Sequence, residues 1–277
     1  MGLTRSSRVR RLLLLAATTL GLASAAVPLP AAAAVVPGTP AVSPPGANDF
    51  SCRPDAAHPY PVVLVHGTFS SAGSAWGSLS PAIKAAGYCV FALDYGNHAT
   101  GPIEQSAREL AAFVSGVLTA TGAARVLFVG HSQGGLMPRY YIRFLGGAAR
   151  TAGLVGLAPS NHGTVNPLTP VVGLVCTACD QQFAGSDFLE NLNAGRDVEA
   201  GVRYTVISTR FDEVVVPYTS QFLAGSASQV TDLTLQRRCP FDLSEHLLIT
   251  SDPVARQWVL NALAGGGLAD PAFRPAC

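Results

Sequence analysis

Along this chain, apolar residues gather into short unbroken runs instead of alternating with polar ones. Five stand out: PVVLV at 61–65, CVFAL at 89–93, RVLFV at 125–129, GLVGLA at 153–158 and RYTVIS at 203–208. A strand with one wet face alternates, whereas a strand covered on both faces does not, so these runs predict buried parallel strands. Between them, Ile103, Ala107, Leu110, Val114 and Val117 recur at helical spacing within 102–120, which predicts a helix with one apolar side. A second helical stretch at 134–145 follows the third run directly. A third, at 252–264, opens with Asp252 as N-cap and Pro253 in its first turn. Strands alternating with helices predict an α/β fold, a mostly parallel central sheet with helices on both faces. The segment Asn161 to Gly201 mixes Pro, Gly and apolar residues without a strand pattern. It is expected as a lid-like or pocket-forming excursion over the sheet's carboxyl edge, where loops build sites.

The amino end has a different character. Arg5, Arg8, Arg10 and Arg11 precede LLLLAATTLGLASAA at 12–26, followed by further small residues up to Ala34. A basic start, a short apolar stretch and small residues predict a secretory signal peptide over 1–34, cut near Ala25 or near Ala34. The apolar stretch falls short of the roughly 20 residues of a spanning helix, which argues against a membrane anchor. The adjacent Arg10 and Arg11 leave a twin-arginine export route open. Residues 35–48, rich in Pro, Gly and Ala, read as a flexible leader, and 49–277 as a single domain. The mature protein is expected to be soluble, secreted to the extracellular space, and a monomer.

Charge excludes one class of partner. The whole chain has 18 basic and 17 acidic residues. Without the four early arginines the balance turns to about −3, and no basic stripe exists to hold nucleic acid. Six cysteines, at 52, 89, 176, 179, 239 and 277, form an even set, which in an exported chain favours disulfides. Counting alone leaves fifteen pairings open. The CTAC at 176–179 also fits a redox or zinc motif in principle, but it lacks the strand–helix context of the first and the matching ligand pair of the second.

The chemistry centres on VGHSQGGL at 129–136. A strand is expected to end at Val129, a tight turn to carry Ser132, and a helix to begin at once. Gly130 and Gly134 suit a turn where strand and helix backbones crowd together, the setting that a Gly-x-Ser-x-Gly nucleophile requires. A serine hydroxyl needs a histidine to take its proton, and that histidine needs a carboxylate to fix its tautomer. In proteins that raise the nucleophile on such a turn, the carboxylate and then the histidine follow it in the chain. Asp212 comes just past the 203–208 strand, and His246 is the only histidine after it. Glu213 is the neighbouring alternative to Asp212, while Asp187 and Asp197 precede the strand and read as solvated loop residues. His131 is expected to point away from Ser132 and pack locally, and His162 to take a structural or rim role. His58 and His66 flank the first strand, His98 sits in a loop, and none of the three is placed to relay the serine proton.

An acyl-transfer intermediate also needs N–H donors for its oxyanion. The backbone N–H of Gln133 is one expected donor. The second is expected from the loop after the first strand, in VVLVHGTFSSAG, with Thr68 as the candidate and His66 and Gly67 as turn residues allowing close approach.

With these blocks assembled, the chain resembles secreted lipases of the α/β-hydrolase superfamily, in particular bacterial class 2 lipases, and is similar to the yeast lipase B type. HGTFSSAGSAW, LSPAIKAAGYCVFALDYG, GHSQGGL, STRFDEVVVPYTS and CPFDLSEH carry the resemblance in order, from about Cys52 to Cys277. It implies Ser132, Asp212 and His246 as a catalytic triad, Thr68 and Gln133 as the oxyanion hole, and the Thr68 hydroxyl as an additional donor. It also implies disulfides Cys52–Cys89 and Cys239–Cys277, leaving Cys176 to pair with Cys179. The region 161–201 departs from the resemblance, so substrate contacts do not carry over.

The reading is therefore an exported serine carboxylic-ester hydrolase, foremost a triacylglycerol lipase, needing no cofactor and no metal. It acts on lipid or other esters and touches a lipid interface transiently. Its rivals are a short-chain carboxylesterase, a polyester hydrolase, an acyltransferase and, from another class, a non-catalytic binding protein on a hydrolase fold. Leu168, Val171, Val172, Leu174 and Val175 favour a long-chain lipase if they edge the cleft; ordinary core packing is the alternative.

Overall fold

The computed structural model describes residues 1–2 and 36–277, so the expected signal peptide and both of its cut points lie almost wholly outside the described residues. Six strands form one sheet in the order β2-β1-β3-β4-β5-β6, and every neighbouring pair is parallel. They are β1 (Val62–Val65), β2 (Val90–Leu93), β3 (Val126–His131), β4 (Thr151–Leu157), β5 (Arg203–Ser208) and β6 (Val230–Thr234). Among the described residues the helices are α1 (Ala72–Ala75), α2 (Leu79–Ala85), α3 (Gly96–Ala99), α4 (Ile103–Thr121), α5 (Gln133–Phe144), α6 (Thr169–Gly173), α7 (Thr177–Gln181), α8 (Asp187–Asn193) and α9 (Pro253–Ala264).

The unbroken apolar runs serve two cores at once. Val63, Val65, Phe91, Leu93 and Phe128 point into one, packed under α4 and α5. Their chain neighbours Val62, Leu64, Val90, Ala92, Leu127 and Val129 point into the other, under α2 and α9. Alternation across the pleat thus puts apolar side chains on both faces, and in β1 to β5 only the end residue Arg203 of β5 is exposed. Helix α4 buries Ile103, Ala107, Leu110, Val114 and Val117 completely and stops at Gly122 in the left-handed conformation, the usual end for a helix with glycine at hand. In α9, Asp252 caps the first turn by accepting from the Ala255 N–H.

Two features depart from expectation. Strand β6 has no uniform apolar run, because it is the outermost strand on one side and is half-exposed. Residues 36–48, whose composition suggested a flexible leader, are fastened to the opposite edge. Ala47 bridges Val90 in parallel, and the Asn48 amide accepts from Ala92 N and donates to Ala92 O at 2.9 and 3.0 Å. Gly38 O takes the Asp94 N–H and Pro45 O the Ser80 hydroxyl. Disulfides link Cys52 with Cys89, Cys176 with Cys179 and Cys239 with Cys277. The first ties Cys52, just past this segment, to the residue preceding β2, and the last ties down the carboxyl terminus.

Candidate active site

Ser132 stands between β3 and α5 with φ 54° and ψ −124°. A side chain rarely adopts this left-handed conformation, which costs about 1–3 kcal/mol and is kept where the surroundings enforce it. Here they do. A Cβ on Gly130 would lie 1.9 Å from Gly134 O, and one on Gly134 would lie 2.0 Å from Val65 O. Only hydrogen fits at either place, and the closeness of β1, β3 and α5 follows. Ser132 N donates to Leu157 O on β4 at 2.9 Å, which fixes the turn from below. Gln133 is the first residue of α5, so its backbone N–H has no acceptor within the helix. Its side chain is used elsewhere, donating to Ala99 O at 3.0 Å.

The loop after β1 runs directly alongside. A Cβ on Gly67 would meet His131 Nδ1 at 3.0 Å and Ser132 Cβ at 3.1 Å. This glycine lets the loop lie against the serine turn. Thr68 follows it and lines the same cavity as Ser132. His66 is fully buried, stacked on Tyr95, and burial pushes its pKa down.

Asp212 lies four residues past the end of β5, and all of its acceptor positions face donors. Oδ1 receives Val214 N at 3.0 Å and Val215 N at 2.7 Å; Oδ2 receives Gln221 Nε2 and His246 Nδ1, both at 2.8 Å. The structure therefore joins Asp212 and His246. Glu213, the alternative carboxylate, is exposed; partial desolvation and a side-chain bond with Glu245 raise its pKa. Ser132 and His246 line the same cavity, without a hydrogen bond between their side chains among the described residues. Such contacts often tighten only when substrate is bound.

His131 differs from expectation. It does not pack locally: its Nε2 lies 2.8 Å from the backbone carbonyl of His246, 115 residues on, and its ring packs on that of His246. A carbonyl only accepts, so Nε2 carries the proton. Burial, then the neighbouring His246, pushes the His131 pKa down to about 3, so the ring is neutral. His162 takes a structural role, held between Ser220 O and Asp197 Oδ1. Asp197 is accordingly a half-buried ligand of His162 and of Ala224 N, not a solvated loop residue; despite burial, those bonds hold its pKa down. Asp187 opens α8. His58 lies against Tyr88, and His98 contacts Ser70 O.

The cavity has a volume of about 520 Å³ and is walled by the Thr68 loop, the Ser132 turn, the 160–182 segment and the Asp212 and His246 loops. Three of its polar members, Ser160, Gln182 and Thr164, carried no motif in the sequence. Most apolar residues of 168–175 are not core: Leu168, Val171, Leu174 and Val175 are 66–87% exposed, while Val172 packs against the core; Leu168 and Val172 line the cavity. The site brings a serine hydroxyl and an Asp-held imidazole to the wall of one cavity.

A six-stranded parallel sheet with a serine on a strained strand-to-helix turn and an Asp–His pair on later loops defines the α/β-hydrolase fold. Residues 59–259 match the family described as Lipase (class 2), and the chain belongs to that family. It is 37% identical over 92 residues to triacylglycerol lipases of Pseudarthrobacter phenanthrenivorans and Burkholderia plantarii. Those matches cover 31% of this chain but only 28% and 25% of the relatives' own lengths. Aspergillus fumigatus lipase B superposes with a TM-score of 0.72 at 23% identity, over 83% of this chain and 57% of that one. Paleococcus ferrophilus monoacylglycerol lipase superposes at 0.54 and 18%, over 75% and 96%. Both share the fold.

Proposed function

We propose that the protein is a secreted serine carboxylic-ester hydrolase, specifically a triacylglycerol lipase. The observation that carries this reading is the Asp212 Oδ2–His246 Nδ1 bond of 2.8 Å, made at the wall of the cavity that also holds Ser132. A carboxylate accepting from Nδ1 leaves Nε2 of His246 as the free base. His246 takes the Ser132 proton as Oγ attacks the ester carbonyl, then returns a proton to the leaving alcohol. Asp212 orients the ring and stabilises its cation. Water repeats the sequence on the acyl-enzyme to release the acid. The backbone N–H groups of Thr68 and Gln133 stabilise the intermediate's oxyanion, each such donor being worth about 3–4 kcal/mol.

The lipase reading is favoured over the short-chain rivals by the exposed apolar residues of 168–175, a segment that also lines the cavity, since exposed apolar side chains grouped together mark contact with another apolar surface. The curated relatives named triacylglycerol lipases add to it. Export is supported by the amino-terminal pattern over 1–34 together with three disulfides, bonds that persist in oxidising compartments. The test is labelling by a fluorophosphonate serine probe, followed by rates on an ester chain-length series with and without an emulsified interface. The expected result is label on Ser132, none in Ser132→Ala, and faster turnover of long-chain emulsified esters. Labelling that survives Ser132→Ala ends the nucleophile assignment, and a sharp preference for acetyl esters in solution ends the lipase assignment.

A further inference from the structure

Gln182 ends α7, is buried, and reaches back 114 residues to the loop after β1. Its side-chain amide makes three bonds: Nε2 donates to Ala178 O at 2.9 Å and to Thr68 Oγ1 at 3.2 Å, and Oε1 accepts from Ser160 Oγ at 2.7 Å. The carbonyl of Ala178 only accepts, so the amide atom beside it must be the NH2 group. That settles which end of the amide meets Thr68. The Thr68 oxygen therefore receives a proton from Gln182, and its own proton has to point elsewhere. Thr68, Ser132 and Gln182 all line the cavity, so open space for that proton lies on the side where an acyl oxygen would sit.

We propose that Gln182 is a positioning residue: it holds the Thr68 hydroxyl as a donor aimed at the oxyanion, while Ser160 locks the amide in place. The inference rests on the reading of Thr68 and Gln133 as an oxyanion hole and of Ser132 as the nucleophile. It makes the 161–201 segment part of the catalytic electrostatics. That segment is tied in by Ala178 N donating to Thr100 O and by the Cys176–Cys179 bridge at the start of α7. A donor preset in this way costs no reorganisation when charge develops, so the gain falls on kcat rather than on KM.

The test is kinetic, on the full enzyme with p-nitrophenyl butyrate below its solubility limit. Thr68→Val keeps the backbone N–H and removes the hydroxyl; kcat should fall about 10- to 100-fold. Gln182→Met keeps length and removes the donor; kcat should fall about tenfold with KM within about twofold. The double variant should be no slower than Thr68→Val alone, because Gln182 acts only through that hydroxyl. Additive losses, or an unimpaired Gln182→Met beside an impaired Thr68→Val, overturn the inference and leave the oxyanion reading standing. An unimpaired Thr68→Val overturns the hydroxyl's role and this inference with it, and turnover that survives Ser132→Ala overturns the nucleophile. If Gln182→Met does not fold, Ser160→Ala replaces it. That change frees the amide to turn, and a loss of about threefold in kcat that vanishes in the Thr68→Val background is then expected; no loss overturns the inference.

Discussion

His131 Nε2 donates to the backbone carbonyl of His246 at 2.8 Å, so the residue next to the proposed nucleophile fixes the main chain of the proposed base. Replacing it by Phe preserves bulk and strands the carbonyl, a loss worth about 1–3 kcal/mol for a buried group. His131→Phe should melt several degrees lower and lose about tenfold in kcat. With its pKa near 3, His131 does not titrate at working pH. The pH–rate profile of the variant should therefore keep its shape between pH 5 and 9. A lost inflection there would show that His131 exchanges protons.

Two glycines beside the serine should fail differently when a methyl is added. Gly134→Ala places Cβ 2.0 Å from Val65 O and 2.5 Å from His66 O, both rigid backbone, and no soluble protein should be recovered. Gly67→Ala meets His131 and Ser132 at 3.0–3.2 Å, which a shift of a few tenths of an ångström relieves. It should fold, with a melting temperature near that of the wild type, and lose activity, since such small misplacements of reacting groups are costly. Circular dichroism and kcat on a soluble ester separate the two cases.

Asp232 on β6 is partly buried, and that burial raises its pKa to about 6. The folded state then binds more protons than the unfolded one between about pH 4 and pH 6, so the contribution of Asp232 to stability is full below pH 4 and is lost as pH rises to 6. After allowance for its remaining exposure the difference is about 1–2 kcal/mol. Asp232→Asn should flatten this part of the stability–pH curve and be the more stable protein at pH 7, as read by denaturant midpoints at pH 4 and pH 7.

On the segment whose Leu168 and Val172 line the cavity, Leu174 and Val175 are 85% and 87% exposed, and neither lines the cavity. Changing both to Ser should leave turnover of a dissolved short ester within about twofold and lower that of an emulsified long-chain ester about fivefold or more, since roughly 25 cal/mol is lost per Å² of apolar contact with the interface. Equal losses on both substrates would mean that these residues act on the pocket and not on the interface.

The legible parts of this protein are those where packing leaves no choice. β1 to β5 appear as unbroken apolar runs because each is covered on both faces, and the Ser132 turn appears because two backbones approach where only glycine fits. β6 was not visible: an edge strand reading VTDLT alternates like many loops. The docking of 36–48 was not visible either, because its contacts are backbone pairings and the single side chain of Asn48, whose partner Ala92 lies 44 residues on. The contacts of His131 with His246 and of Gln182 with Thr68 span more than a hundred residues each. No local pattern encodes them; they exist only once the sheet has brought the loops together.

The same docked segment has a consequence for solubility. β2 closes one side of the sheet, and a bare outer strand offers unpaired amides to any other extended chain. The Ala47 bridge and the two Asn48 bonds already occupy that flank. The molecule thus carries its own guard against edge-to-edge aggregation, and trimming it back past Asn48 should yield a protein that clumps on storage even where its chemistry survives.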